Sequence, residues 1–333
     1  MTHRRTTRLR VLVQDPSLTF LMEAHNALSA RIAEEAGFPA LWASGLTISA
    51  ALGVRDSNEA SWTQVLDVLE FMSDATTVPI LMDGDTGHGN FNTLRRLVRK
   101  LEPRGIAGIC VEDKLFAKTN SFLRAERQAL ADVDEFCGKI KAARDCPLDR
   151  DFVVVARTEA LIAGRGLGEA PARAEAYRRA GADAIVVHSK QPEPDEAFAF
   201  MREWAGRLPV VLIPTRYYAT PPSAFREHGV SAVIWANHLL RASIVRMREI
   251  AERILREETP AGVEAYVAPL AEVFRLQGDD ELAEAERRYL GGPARSPRAT
   301  SSLPAGAGAS RSSRAPLTRT WARSLTPSPG TPG

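Results

Sequence analysis

Ten consecutive residues, Glu112-Asp113-Lys114-Leu115-Phe116-Ala117-Lys118-Thr119-Asn120-Ser121, carry two acids, two lysines, an amide and two hydroxyls. They follow an apolar run, residues 106–111, that reads as a buried strand. Carboxylates suit a hard cation, and amines with small polar groups suit phosphoryl oxygens. The mixture is therefore that of a metal-dependent, phosphate-handling site. Its weight depends on whether other strand ends aim compatible groups at the same place.

Several do. Asp83 and Asp85 stand two apart after another apolar run, so an extended backbone aims both to one side. With Glu112 they make an all-oxygen set suited to Mg²⁺, which keeps several waters and takes few carboxylates. Arg157 offers a planar fork for carboxylate or phosphate, and His188 a donor that titrates near neutral pH. Ser44-Gly45-Leu46 closes a further strand, and Lys118, Asn120 and Ser121 complete the inventory. Each has a plainer reading: a turn or helix cap for either aspartate, an ion pair with Glu159 or Glu112 for Arg157, a satisfied core histidine for His188. His88, beside the acid pair, fits a supporting position, and His238 a structural one.

The elements that must position these groups alternate in type. Apolar strands are expected at 19–23, 40–43, 78–82, 106–111, 152–156, 184–187, 210–213 and 232–235. Helical patterns fall between them at 27–36, 62–73, 92–104, 132–144, 170–180, 196–205 and 222–227, with a long one at 240–256. Ser44 to Asp56 reads as a polar loop of small residues. Eight strands alternating with helices predict an α/β fold, a closed (β/α)₈ TIM-type barrel, whose functional groups sit at the C-terminal strand ends. A doubly wound sheet is the alternative, but no G-x-G-x-x-G follows the first strand, and Gly84, Gly87 and Gly89 do not match that spacing. Helices are further expected at 263–274 and 279–290, with apolar faces that a partner subunit could cover.

Three segments follow: a basic start at 1–18, the barrel with its extra C-terminal helices at 19–290, and a tail at 291–333 whose composition predicts disorder. That tail holds six arginines and no acid, so the rest of the chain is mildly acidic although the net charge is +2. No nucleic-acid face and no membrane span are expected. Cys110, Cys137 and Cys146 lack metal-ligand spacing and fit reduced thiols in a cytoplasmic protein.

The residues quoted above, together with Glu23 to Arg31, Trp42 to Leu46, Gly53 to Ala60 and Trp235 to His238, resemble the phosphoenolpyruvate mutases of the isocitrate lyase superfamily. The likeness runs from about Thr19 to Leu290. The Lys-Lys-Cys-Gly-His motif of the superfamily's carbon–carbon lyases is absent. The resemblance implies Mg²⁺ held by Asp83, with Asp85 and Glu112 acting largely through its waters. It implies that Trp42, Ser44, Gly45 and Leu46 seat a pyruvyl group. Arg157, His188, Asn120 and Ser121 would hold phosphoryl oxygens, and Lys118 would ride on a loop that closes over the ligand. Asp56, unmarked by its neighbours, gains a role only here, as nucleophile or guide for a migrating phosphoryl group. A helix-swapped homotetramer and a pathway partner that decarboxylates phosphonopyruvate are implied as well. The similar phosphonopyruvate hydrolases carry threonine where this chain has Asn120, which favours the mutase reaction. A catalytically idle scaffold is the alternative of another class. Ala117, Gly84 and His88 replace the family's usual proline, alanine and tyrosine.

Overall fold

A computed structural model describes residues 4–123 and 129–290. The expected disorder of 291–333 therefore lies outside the described residues. Eight parallel strands close into a barrel in sequence order: β1 (Thr19–Ala24), β2 (Ala40–Ala43), β3 (Ile80–Asp83), β4 (Gly108–Glu112), β5 (Val153–Thr158), β6 (Ala184–Val187), β7 (Val210–Leu212) and β8 (Ala232–Trp235). β8 returns to β1 with Phe20 opposite Val233, so no edge is left open. Asp83 and Glu112 are the last residues of β3 and β4, and Arg157 lies inside β5, so rigid backbone carries all three.

Alternation along each strand builds two apolar layers. Ala40, Trp42, Leu81, Cys110, Val155, Val186 and Ile234 fill the barrel interior. Leu41, Met82, Ile109, Val154, Ile185 and Val233 face outward onto the surrounding helices. Those helices are α2 (Ala27–Glu35), α4 (Trp62–Ala75), α5 (Phe91–Leu101), α6 (Val133–Arg144), α7 (Gly166–Arg179), α8 (Asp195–Trp204) and α9 (Pro222–Glu227), and α10 (His238–Glu257) follows β8. Side-chain caps start several of them: Asn26 and Ser61 form capping boxes, and Asn90 and Asp132 accept two backbone N–H bonds each.

Three expectations needed correction. The basic start, for which no element was expected, carries a helix: α1 (Arg5–Gln14) buries Leu9 and Val13 in the barrel's interior cluster. Its cations are spent on local ties, Arg10 to Asp183 at 2.9 Å and Arg5 to the Ser73 hydroxyl at 2.5 Å. The small-residue stretch after β2 is not a loop but α3 (Gly45–Ala51), capped by Ser44. The helix expected at 263–274 is a short 3₁₀ turn at Glu264–Tyr266 followed by α11 (Leu270–Gln277), because Pro269 interrupts the pattern. One compact unit ends at Gln277; the next begins at Gly278 and contains α12 (Asp279–Leu290).

Candidate active site

A pocket opens at the C-terminal end of the barrel, lined in part by Trp42, Ser44, Leu46, Asp56, Asp83 and Glu112. Lys118, Asn120, Ser121, Arg157 and His188 line the remainder with Phe122, Ile213, Thr215, Ala236 and Asn237. Of the sequence-predicted site residues only Gly45 and Asp85 lie behind the lining, and both touch it. The Gly45 N–H donates to Asp83 Oδ2 at 3.2 Å, which places the start of α3 against the acid pair. A Cβ on Gly45 would stand 2.8 Å from Asp85 Oδ1 and 3.3 Å from Asp83 Oδ2, so the close approach requires glycine. The loop after β3 turns sharply, with Asp85 and His88 in the left-handed region (φ 50° and 54°). It is sewn to β4 by Gly84 N–H to Cys110 C=O at 2.7 Å and Glu112 N–H to Asp85 C=O at 2.8 Å.

On the acidic side, Lys118 is buried among carboxylates. Its ammonium pairs with Asp85 Oδ1, and with Asp56 Oδ1 at 2.9 Å. Two amides brace this arrangement. Asn58 donates to Asp85 Oδ2 at 2.8 Å and accepts the Lys118 N–H at 2.7 Å, while Asn120 donates to Asp56 Oδ2 at 2.7 Å. Burial alone would raise Asp56, but Lys118 and Asn120 outweigh it and hold the carboxyl below its ordinary range. Burial pushes Asp83 up to about 6, with Lys118 opposing and Asp85 adding to the shift. His88 sits 3.9 Å from Asp85 Oδ2, and burial lowers its pKa to about 4, so the ring is neutral.

The opposite side is a balanced ionic cluster. Arg157 places Nε and Nη2 each 2.6 Å from Glu159 Oε1, and Nη2 lies 3.4 Å from Glu112 Oε2. Both ion pairs weighed as the plainer reading of Arg157 thus exist beside its pocket position. Ser121 accepts from Arg157 Nη2 and from Lys114 Nζ, each at 2.9 Å, and donates to Glu159 Oε2 at 2.7 Å. Burial first and Arg157 second lower the His188 pKa. Arg157 Nη2, at 2.7 Å from Nδ1, can only donate, which makes Nδ1 the acceptor and puts the ring proton on Nε2. Glu159 Oε1, at 3.1 Å from Nδ1, favours the opposite tautomer; the shorter contact decides. Nε2 is buried without a hydrogen-bond partner among the described residues, a donor available to a ligand oxygen.

For a metal, the donors are Asp83, Asp85 and Glu112. No group of three or more His, Cys, Asp or Glu forms a ready cage among the described residues. The set nevertheless fits Mg²⁺ in the manner expected of it, through few direct carboxylates and several waters. Burial raises Asp83 against the opposing charge of Lys118, and Glu112 Oε1 has Lys114 Nζ at 3.2 Å yet no hydrogen-bond donor among the described residues.

Asn58, Lys114, Phe122 and Glu159 were not singled out from the sequence as site residues. Lys114 stood in the opening motif and Asn58 beside Asp56, but neither spacing nor type separates an amide or amine that braces its neighbours from a solvated one. Ile213, Thr215, Ala236 and Asn237 follow β7 and β8, and their position at strand ends was the available signal.

Comparison with known proteins places this geometry in context. The family model for phosphoenolpyruvate phosphomutase matches residues 9–255. A phosphoenolpyruvate phosphomutase of Tetrahymena pyriformis is 60% identical over 287 residues, covering 86% of this chain and 96% of that one. The crystal structure of a phosphoenolpyruvate phosphomutase from Streptomyces platensis subsp. rosaceus superposes with a TM-score of 0.83 at 44% identity, covering 86% of this chain and all of that one (100%). A phosphonopyruvate hydrolase solved in complex with oxalate and Mg²⁺ gives a TM-score of 0.82 at 39% identity, over 86% of this chain and 100% of its own.

Proposed function

The chain belongs to the phosphoenolpyruvate phosphomutase family, and from that premise we propose that it interconverts phosphoenolpyruvate and phosphonopyruvate with Mg²⁺. The phosphoryl group moves between the enol oxygen and C3 of the same pyruvyl unit. One P–O bond and one P–C bond exchange, and no water is consumed. The observation that carries this reading is the Asp56 carboxylate, whose two oxygens are held by Lys118 (2.9 Å) and Asn120 (2.7 Å) at the pocket wall. A carboxylate fixed at both oxygens can guide or accept a migrating phosphoryl group without reorienting.

In this reading Trp42, Ser44, Gly45 and Leu46 seat the pyruvyl part, where the first turn of α3 supplies backbone N–H groups. Arg157, the Nε2–H of His188 and Asn120 hold phosphoryl oxygens as charge redistributes in a loose transition state, and Ser121, whose proton is given to Glu159, keeps Arg157 in place beside them. Lys118, on the stretch that covers the pocket, neutralises charge and excludes water, which keeps the phosphoryl group from hydrolysis. Asp83, with Asp85 and Glu112 behind it, would hold the Mg²⁺, whose positive charge would stabilise the enolate and phosphoryl oxygens.

The hydrolase reading differs in the fate of that group, delivering it to water. Asn120, donating to Asp56, favours the closed route. An idle scaffold would have no use for the intact set Asp56, Asp83, Glu112, Lys118 and Arg157. The assembly proposed is a homotetramer with exchanged C-terminal helices, supported by α10, which buries none of its residues in this chain. Three free cysteines fit a reducing, cytoplasmic setting. Because forming the carbon–phosphorus bond runs uphill, a reaction that consumes phosphonopyruvate, a decarboxylation, is its expected partner. The direct test is formation of phosphoenolpyruvate from phosphonopyruvate. Turnover that persists after Mg²⁺ is chelated, or in Asp56→Ala, contradicts the proposal.

A further inference from the structure

Glu159 belongs to none of the roles above. It lies behind the pocket wall, completely buried, at the start of the turn after β5. Its carboxylate is nonetheless the shared partner of two pocket groups and one further cation. Oε1 takes Arg157, which in turn donates to His188 Nδ1 at 2.7 Å; Oε2 accepts from Ser121 Oγ at 2.7 Å and has Lys114 Nζ 3.3 Å away. Its own N–H donates to Asp113 Oδ1 at 2.8 Å, and Asp113 is in turn held by Tyr177 (2.6 Å) and Arg173 (3.4 Å). The carboxylate is thus anchored from behind as well as engaged in front.

An unpaired carboxylate at this depth costs several kcal/mol, so each of its partners is held in place by the penalty of leaving. Arg157 and His188 stand on β5 and directly after β6, which are rigid. Ser121 and Lys114 belong to the stretch 114–123, whose side-chain ties to its surroundings include Lys118 N–H to Asn58, Ser121 to Arg157, and Ser121 and Lys114 to Glu159. The two contacts with Glu159 join the stretch to the groups that would hold phosphoryl oxygens by way of a residue outside the pocket.

We propose that Glu159 is a positioning residue: it orients Ser121 and Arg157, and through Arg157 the His188 ring, as one unit, and fastens the stretch 114–123 to the barrel in register with them. Its consequence for turnover rests on the mutase reading; its fastening role does not. The link is weakened at one end by Glu159→Gln, which removes the charge, and cut at the other by Ser121→Ala, and amide hydrogen exchange of 114–123 is followed in the ligand-free protein. Loss of a hydrogen bond to a buried charge should speed local exchange on the order of tenfold in each variant. In the double variant the combined acceleration should be less than the product of the two single effects, because both act on the shared Ser121–Glu159 link. In Glu159→Gln, kcat/KM for phosphonopyruvate should fall on the order of 100-fold, as misplacement of several binding groups requires. Rates that multiply in the double variant, or exchange in 114–123 that is unchanged, overturn the proposal. So does acceleration spread evenly over the barrel, the mark of a merely structural role. Should Glu159→Gln not fold, Ser121→Ala alone decides: unchanged exchange overturns it. A wild-type protein inert toward phosphonopyruvate sinks the mutase reading and leaves the exchange result standing on its own.

Discussion

Gly45 shows how a residue without a side chain can govern a site. Its N–H holds Asp83, and the space a Cβ would occupy is already taken by Asp85 Oδ1 at 2.8 Å. Gly45→Ala should therefore push the acid pair apart and cut kcat/KM on the order of 100-fold while leaving the thermal midpoint nearly unchanged; activity close to wild type would show that the acids need no such precision. Tyr217 is an instructive opposite: the residue is 2% exposed, its buried hydroxyl has no hydrogen-bond partner among the described residues, and burial, with Glu196 second, raises its pKa. A phenol whose folded pKa lies above its unfolded value of about 10 contributes stability that is complete below that pH and is lost as pH rises through the folded value. Tyr217→Phe should match or exceed wild type by about 1 kcal/mol at pH 8, and the gap in its favour should widen at pH 11. Urea titrations at the two pH values check this; a variant weaker at pH 8, or a gap that narrows, contradicts it. At this scale the strand-end acids, Arg157 and His188 were legible because type and position both marked them. Glu159, Lys114 and Asn58 were not, since they act on other side chains rather than on the pocket, and no local pattern announces a partner that is distant in sequence.

The elements themselves were legible where a period ran long enough: β6, β8, α9 and α12 fall where alternation, punctuation and helical spacing put them. α1 was hidden because its buried face is narrow, chiefly Leu9 and Val13 among arginines and threonines, and the arginines read as a tail although they bond to the barrel. α3 was hidden by composition, since Gly, Ser, Thr and Ala between two polar stretches look like a loop until Ser44 is seen as its cap. The element scale also explains Gly84. A Cβ there would meet Ile109 Cδ1 and Cγ1, both at 2.7 Å, and the Cys110 carbonyl at 2.9 Å. β4 has taken up the space that a methyl group would fill. Gly84→Ala should cost about 1–3 kcal/mol by overpacking, and Ile109→Val in the same chain should recover part of it. Thermal unfolding of the three variants measures this, and a Gly84→Ala protein as stable as wild type would refute the packing account.

Across the whole molecule, the barrel was legible from the strand count, but the assembly was not, because what covers α10 does not lie in this sequence pattern. Val245, Met247 and Leu255 are 67%, 61% and 82% exposed on α10, and Leu270 of α11 is 72% exposed. Large apolar side chains exposed on several sides of a helix are expected to be buried between subunits. Sedimentation at micromolar concentration should give a tetramer, and Met247→Glu should shift it to smaller species; a monomer in the unaltered protein would contradict the assembly. No helix among the described residues is long and apolar enough to cross a membrane. The central claim concerns where the phosphoryl group goes, and phosphorus NMR of the purified protein with Mg²⁺ and phosphonopyruvate reads that directly. The account predicts that the phosphonate resonance is replaced by that of phosphoenolpyruvate. A resonance of inorganic phosphate in its place would mean that water captures the group at Asp56, and would contradict it.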